Sequence, residues 1–153
     1  MYAPAYNPPR SYAEWVELLD MFKNKTDDEA VVAAMQQGTL EWQAGVAERF
    51  SQKLVDAFNH RMNMATDKFQ KEMQRSQGQE RAIVQALLAL RKEFRFLLGA
   101  MDLPVLPEKD RGHYCKLISD QANNIQKSLE DSAKADRSGK LSSIVRNNRV
   151  NTL

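Results

Sequence analysis

The feature that most limits the fold of this chain is the stretch 48–76, which contains neither glycine nor proline. Those two residues are the ones that most strongly disfavour a continuous helix. Apolar residues recur through the stretch every three or four positions, which is the spacing of one helix face. We therefore predict a long central helix over about 40–76. Thr39 can serve as its N-cap, and Gly78 is the residue at which we expect it to break.

The apolar stripe on this helix does not keep to the helical repeat. From Val46 to Met73 the stripe takes seven steps over 27 residues, a mean of about 3.9 residues, whereas an α-helix repeats every ~3.6 residues. At ~100° per residue, Val46 and Phe69 face directions more than a right angle apart. One straight neighbour cannot cover both ends. We expect the first two helices to cover the N-terminal half and the fourth and fifth to cover the C-terminal half, unless a second chain covers the far end.

Four further helices are predicted from capping patterns and apolar periodicity. Ser11 with Glu14, and Thr26 with Glu29, have the spacing of a capping box. Prolines at both ends of "PVLP" predict a loop over 102–110. Whether 76–80 breaks the long helix or continues it stays open. The fold class expected is all-α, a bundle of about five helices around the central one, the other four covering about 12–24, 27–37, 80–101 and 109–134.

The ends of the chain differ from the middle in composition. Residues 1–10 are rich in proline and predict an extended, flexible arm, and 11–136 read as a single helical domain. Residues 137–153 hold four basic residues and no acidic one, so their net charge is +4. The whole chain has a net charge of +2, so residues 1–136 have a net charge of −2. We expect this basic tail to be flexible: either disordered or a short docking helix.

The sequence offers little that indicates a membrane or a secretory route. The longest apolar window, Ala82 to Leu90, is far shorter than the ~20 residues that span a bilayer. The first ten residues lack the charged start and apolar run of a secretory signal. A single cysteine, Cys115, cannot form an internal disulfide. These features favour a cytoplasmic protein that does not enter a membrane.

Residue types that carry chemistry are sparse. The only imidazole or thiol groups are those of His60, His113 and Cys115, and a zinc site wants three or four ligands at suitable spacing. The six glycines are scattered, so no phosphate-binding loop is formed. No nucleophile with a neighbouring base stands out. We expect no catalysis, no cofactor and no metal.

The function favoured by this pattern is that of a non-enzymatic helical interaction module: an adaptor, a chaperone-like protein or a small assembly subunit. It would bury an apolar helix face against a protein partner or a second copy, with the tail as a secondary contact. A homo-oligomer is therefore expected. The candidate partner-binding residues are Phe58, Met62, Phe69 and Met73 of the long helix, and Ile144, Val145, Arg146 and Arg149 of the tail.

An alternative from another class is a nucleic-acid-associated protein of a mobile element. Ala34 and Gly38 lie four residues apart between two predicted helices, as in a weak helix-turn-helix near 27–47. A helical hairpin would then provide oligomerisation. Against this, the start of the helix that would enter the DNA groove presents Glu41 and Trp42, where contacts to phosphates and base edges are needed. The first basic residue of that helix is Arg49.

Overall fold

The computed structural model describes residues 6–41 and 43–153, and helix is the only regular secondary structure among them. The expected all-α fold with one long central helix is confirmed. The outer part of the predicted arm, residues 1–5, lies outside the described residues, as does Trp42. The helices are α1 (Tyr12–Lys23), α2 (Asp28–Gln36), α3 (Val46–Ser76), α4 (Glu80–Ala100), α5 (Glu108–Ala133) and α6 (Lys140–Asn147).

Helix α1 begins as its sequence predicts. The Ser11 side chain accepts a hydrogen bond from the Glu14 main-chain N–H, and the Glu14 carboxylate accepts one from the Ser11 main-chain N–H, which completes a capping box. The Arg10 main-chain N–H also donates to that carboxylate. These hydrogen bonds, the one from Arg10 first, hold the pKa of Glu14 below its ordinary value.

The second predicted capping box does not form. The N-cap of α2 is Asp27, which has a left-handed backbone (φ 49°) and makes no capping hydrogen bond with its side chain. Its carboxylate instead accepts a short hydrogen bond from the Tyr6 hydroxyl, which ties the described part of the arm to this turn. That hydrogen bond raises the pKa of the Tyr6 hydroxyl, because the neighbouring carboxylate favours the protonated phenol.

Helix α3 begins six residues later than predicted, at Val46 instead of Leu40. Thr39 is not its N-cap, because Thr39 holds the arm: its main-chain N–H donates to the Pro9 carbonyl (2.9 Å), and its own carbonyl accepts from Trp15 Nε1 (2.8 Å). Gly45, with φ of 82°, then turns the chain into the helix. From Val46 the helix runs unbroken for 31 residues, about 46 Å at ~1.5 Å per residue.

The described residues divide into two compact units, and α3 contributes to both. The first contains residues up to Asn63 together with Ala100–Arg111, and the second contains Met64–Gly99 and Gly112–Leu153. Residues 46–63 of α3 thus belong with α1 and α2, and 64–76 belong with α6, nearly all of α4 and most of α5. This division agrees with the change of partner inferred from the drifting stripe. The predicted division into an arm, one helical domain and a tail stays a prediction.

Burial along α3 follows the same change of direction. Val46 and Phe69 are 8% and 7% exposed, although they face directions about 140° apart on the helix. Both are therefore covered by other residues of this chain, and Phe69 needs no second chain to bury it. In the first unit, Trp15 packs edge-to-face on Phe50 with ring centroids 5.1 Å apart.

Residues 140–153 form a packed segment instead of the flexible tail that their composition predicted. Of the two alternatives, the short docking helix describes them: α6 covers Lys140–Asn147. The reason is that Ile144, Val145 and Val150 are buried, with Val145 and Val150 fully so. Ile144 and Val145 were predicted to bind a partner, and the structure instead buries them within this chain.

Candidate interaction surfaces

Half of the predicted partner-binding residues lie inside the chain's own packing. The side chains of Met62, Met73 and Arg149 are half-buried, and that of Arg146 is exposed. The set therefore does not form one continuous surface, and the exposed apolar surface has to be sought elsewhere. The four buried residues, each at most 7% exposed, are Phe58, Phe69, Ile144 and Val145.

Arg61 forms a buried ionic cluster in the first unit, where only 1% of it is exposed. Its guanidinium binds the Asp28 carboxylate through both Nη atoms, at 2.8 and 2.9 Å. Nη1 also donates to the Phe22 carbonyl (3.1 Å), and Cζ lies 4.7 Å from the centre of the Phe22 ring. One side chain of α3 thereby holds the end of α1 and the start of α2 together.

The sequence analysis did not single out Arg61, although a signal was present. Arg61 comes seven residues after Leu54, so it projects within about 20° of that fully buried leucine. A basic residue on an apolar stripe needs a buried partner, and Asp28 in the first turn of α2 was available. The charge of Arg61 is paired with that of Asp28 inside the fold and is not available to a ligand, so we assign the cluster a structural role.

The 140–153 segment is held against α4 and α5 in the second unit, largely through its main chain. Gln126, 1% exposed, uses both ends of its amide: Nε2 donates to the Val145 carbonyl (3.3 Å), and Oε1 accepts from the Val150 N–H (3.0 Å). Two further hydrogen bonds reach the segment, from Arg91 to the Arg149 carbonyl (3.5 Å) and from Arg95 to the Thr152 carbonyl (3.1 Å). The segment itself donates two more, from Asn151 to Asn123 (2.9 Å) and from the Ser142 hydroxyl to the Ala133 carbonyl (3.4 Å).

The start of this segment is fixed by a local cap. Asp136 accepts hydrogen bonds from the Leu141 main-chain N–H (2.9 Å) and from the Ser138 side chain and main chain. These bonds, the one from Leu141 first, hold the pKa of Asp136 below its ordinary value. Gly139 precedes α6 with φ of 74°, a conformation that glycine adopts without strain.

One side of α5 presents a line of four uncharged residues, with the charged residues Asp120 and Lys127 at its edge. We define the 117–128 face as Leu117, Gln121, Asn124 and Ser128, whose spacing of four, three and four residues places them on one side of the helix. Leu117 is 44% exposed, the highest value among the large apolar residues that the structure describes. Gln121 is half-buried, and Asn124 and Ser128 are exposed.

A second exposed apolar residue lies on a charged face. Met64, 42% exposed, starts a stripe on α3 that continues with Lys68, Lys71 and Arg75, all exposed. We call these four residues the 64–75 face. Only Lys68 has an ion pair described for it, with Glu72 at 3.8 Å. The two faces thus combine a similar apolar residue with opposite electrostatic surroundings.

The side chains that most often form catalytic or metal centres are dispersed over the described residues. Within 6–41 and 43–153, no three or more His, Cys, Asp or Glu side chains lie close enough together to hold a metal ion. His60 is half-buried on α3, and His113 and Cys115 lie in the first turns of α5, exposed and half-buried respectively. No helix in the described part of the chain has both the length and the apolar character needed to cross a membrane.

The described residues near 27–47 do not have the geometry of a helix-turn-helix. Residues 37–45 separate the end of α2 from the start of α3, whereas such motifs use a turn of roughly three or four residues. The connection is also occupied by contacts with the arm, through Thr39 and Pro9.

Comparison with known proteins gave no similar protein: no family model matches this chain, and no significant match was found among curated proteins or among solved structures.

Proposed function

We propose that this chain is a non-enzymatic helical interaction module that associates with a second copy of itself through the 117–128 face. The observation that carries the proposal is the exposure of Leu117 at the start of a line of four uncharged side chains on α5. Charged residues are depleted at the cores of protein interfaces. Two exposed charges of opposite sign, Asp120 and Lys127, lie at the edge of this face, about 60° and 80° from Leu117 around the helix.

A second copy is the partner favoured by the electrostatics. In a two-fold symmetric pair each surface patch meets the same patch of the other copy. If the 64–75 face were paired in this way, three cations would oppose three cations, and like charges in close contact are unfavourable. The four residues of the 117–128 face are uncharged, so they meet their own copies without that repulsion. Its asparagine and glutamine can also hydrogen-bond across the symmetry axis, because each amide carries donors and acceptors.

The expected association is weak and reversible. The face extends from Leu117 to Ser128, about 16 Å along the helix at ~1.5 Å per residue. A contact of this extent lies at the low end of specific interfaces, below ~1,200 Å² of total buried surface. The proposal includes a cytoplasmic setting, which the single cysteine favours.

The test is the molar mass of the full chain measured by sedimentation equilibrium over a wide concentration range. We expect the mass to rise with concentration from that of one chain, 17.5 kDa, towards twice that value. Leu117→Lys should abolish the rise, because it places a charge at the contact.

The matched control is Met64→Lys, which changes an equally exposed apolar residue on the other face. It should leave the association intact. A wild-type chain that stays monomeric at the highest concentration would refute the proposal. So would loss of association in Met64→Lys together with retention in Leu117→Lys.

The alternative of a nucleic-acid-associated protein has less support. The 64–75 face is basic, but it offers only three cations, and Glu72 pairs with one of them. Strong phosphate binding generally needs a larger group of basic residues. Without a helix-turn-helix near 27–47, no described element remains to read bases, and we therefore favour protein association.

A further inference from the structure

The 140–153 segment is bound by the rest of the second unit in the way that a groove binds a peptide. Six hydrogen bonds are described between the segment and α4 or α5, and four of them involve main-chain atoms of the segment: the carbonyls of residues 145, 149 and 152, and the N–H of residue 150. In peptide recognition, main-chain hydrogen bonds contribute affinity and side-chain burial contributes specificity. Here the specificity comes from Ile144, Val145 and Val150, which are all buried.

The binding surface itself is built into rigid elements. Gln126 sits in the middle of α5 with both amide ends engaged by the segment, and Asn123, one turn earlier, contacts Asn151. Arg91 and Arg95 lie one turn apart on α4 and reach carbonyls three residues apart in the segment. A buried amide that loses both partners is costly, so this surface favours an occupant with the same main-chain geometry.

The connection to the segment can open without disturbing the core. Residues 134–139 link α5 to α6, and all are exposed except Asp136, which is half-buried. Their hydrogen bonds are local: within the linker, to the last residues of α5 and to the start of α6. Opening therefore breaks the cap of α6 and the contacts of the segment, and an identical segment from another chain restores both.

We propose that the surface of α4 and α5 that holds the 140–153 segment is an exchangeable docking site, which accepts the same segment from a second copy of this chain. The occupant is identified by fit, because the segment's own anchors fill this surface in the structure. Exchange of an identical element preserves every contact of the closed form. The linker gives the chain's own segment an effective concentration of the order of millimolar, so exchange needs concentrated protein and time for opening.

The proposal is independent of the 117–128 face, because Asn123 projects about 120° away from Leu117 around α5. A cross-linking experiment on full chains separates the two. In a background with Cys115→Ser and with Leu117→Lys, which removes pairing through the 117–128 face, one chain carries Asn123→Cys and another carries Asn151→Cys. The two side chains that they replace are in direct contact, with 2.9 Å between Asn151 Nδ2 and Asn123 Oδ1. The two chains are mixed at millimolar concentration, incubated, diluted and oxidised.

The expected product is a disulfide-linked heterodimer of about twice 17.5 kDa, identified by a mass tag on one chain. A single chain with both substitutions should form an intrachain disulfide, which verifies that the two positions meet. The matched control replaces Asn123→Cys with Asn124→Cys, an equally exposed neighbour that projects ~100° away. This control mixture should give at least tenfold less heterodimer.

Each contrary result overturns the exchange. An intrachain disulfide without any heterodimer in the mixture would mean that the segment stays with its own chain. Equal heterodimer yields from Asn123→Cys and Asn124→Cys would mean random collision. Failure of the intrachain disulfide in a chain with native helical content would overturn the docking geometry itself. None of these results depends on Leu117, so they leave the proposed function to its own test.

Discussion

The buried Arg61 cluster allows a quantitative prediction, which is that Arg61→Met destabilises the chain far more than the equivalent change at an exposed arginine. Arg61→Met keeps much of the side-chain volume but removes the bidentate pair with Asp28, the hydrogen bond to the Phe22 carbonyl and the contact with the Phe22 ring. Breaking a buried ion pair by removal of one partner costs about 3–5 kcal/mol, because the remaining charge is left uncompensated.

The true cost should fall near the lower end of that range. Asp28 retains 25% side-chain exposure, so water partly solvates the carboxylate that Arg61→Met leaves behind. We therefore expect a loss of about 3 kcal/mol in the free energy of unfolding. For a chain of this length that corresponds to a fall in Tm of roughly 6–12 °C.

The assay is urea denaturation followed by far-UV circular dichroism, with Arg49→Met as the matched control. Arg49 lies on the same helix and also stacks on an aromatic ring, with Cζ 5.1 Å from the centre of the Tyr12 ring, but it is exposed. Its loss should cost only about 0.5–1 kcal/mol. The double variant Arg61→Met with Asp28→Leu should recover most of the lost stability, because no unpaired charge remains. Equal costs for Arg61→Met and Arg49→Met would refute the reasoning.

Two further predictions concern backbone packing and pH. Gly38→Ala should lower the free energy of unfolding by about 1–3 kcal/mol, because a Cβ there would lie 2.6 Å from Trp15 Cζ2 and 2.8 Å from Pro9 Cγ. Gly112→Ala, in α5 with no atom within 4 Å of the added Cβ, should instead raise it by up to about 1 kcal/mol. Both are measured by urea denaturation, and equal effects would contradict the close packing at Gly38. The depressed pKa of Asp136 in the folded chain means that its ionised form contributes stability above the unfolded-state value, and that this contribution is lost as the pH falls through the folded-state pKa. Asp136→Asn should therefore cost stability at neutral pH and progressively less below about pH 4, whereas a difference from wild type that stays constant with pH would contradict the cap.

The parts of the fold that could be predicted from sequence are those governed by neighbours in the chain. The Ser11–Glu14 capping box and the unbroken run after Val46 depend on residues within a few positions, so their patterns are readable. The predicted start of α3 was wrong because Thr39 is hydrogen-bonded to Pro9 and Trp15, which lie 30 and 24 residues away in sequence. No periodicity in 36–46 contains that information.

The candidate surfaces were harder to predict for the same reason. Arg61 meets Asp28 across 33 residues, and Gln126 meets Val150 across 24. The sequence analysis selected apolar residues such as Phe58 and Val145 as contacts, and the structure buries them because other elements of the chain reach them first. Exposure of Leu117 follows from which side of α5 those elements leave open, and a single helix pattern does not determine that.

The two associations proposed for the second unit differ in a way that follows from their contacts. The 117–128 face adds a small new contact to a closed chain, so copies should pair and separate rapidly as the concentration changes. Exchange of the 140–153 segment adds almost no new contact, but it requires Ile144, Val145 and Val150 to leave their buried positions first. Its barrier is that of a local opening, which is slow compared with simple dissociation. When a sample of dimer is diluted quickly, the dimers held by the 117–128 face should therefore dissociate at once. The dimers held by exchange of the 140–153 segment should persist until the segment reopens. The decay after dilution separates the two contributions in one measurement, since Leu117→Lys removes only the fast phase.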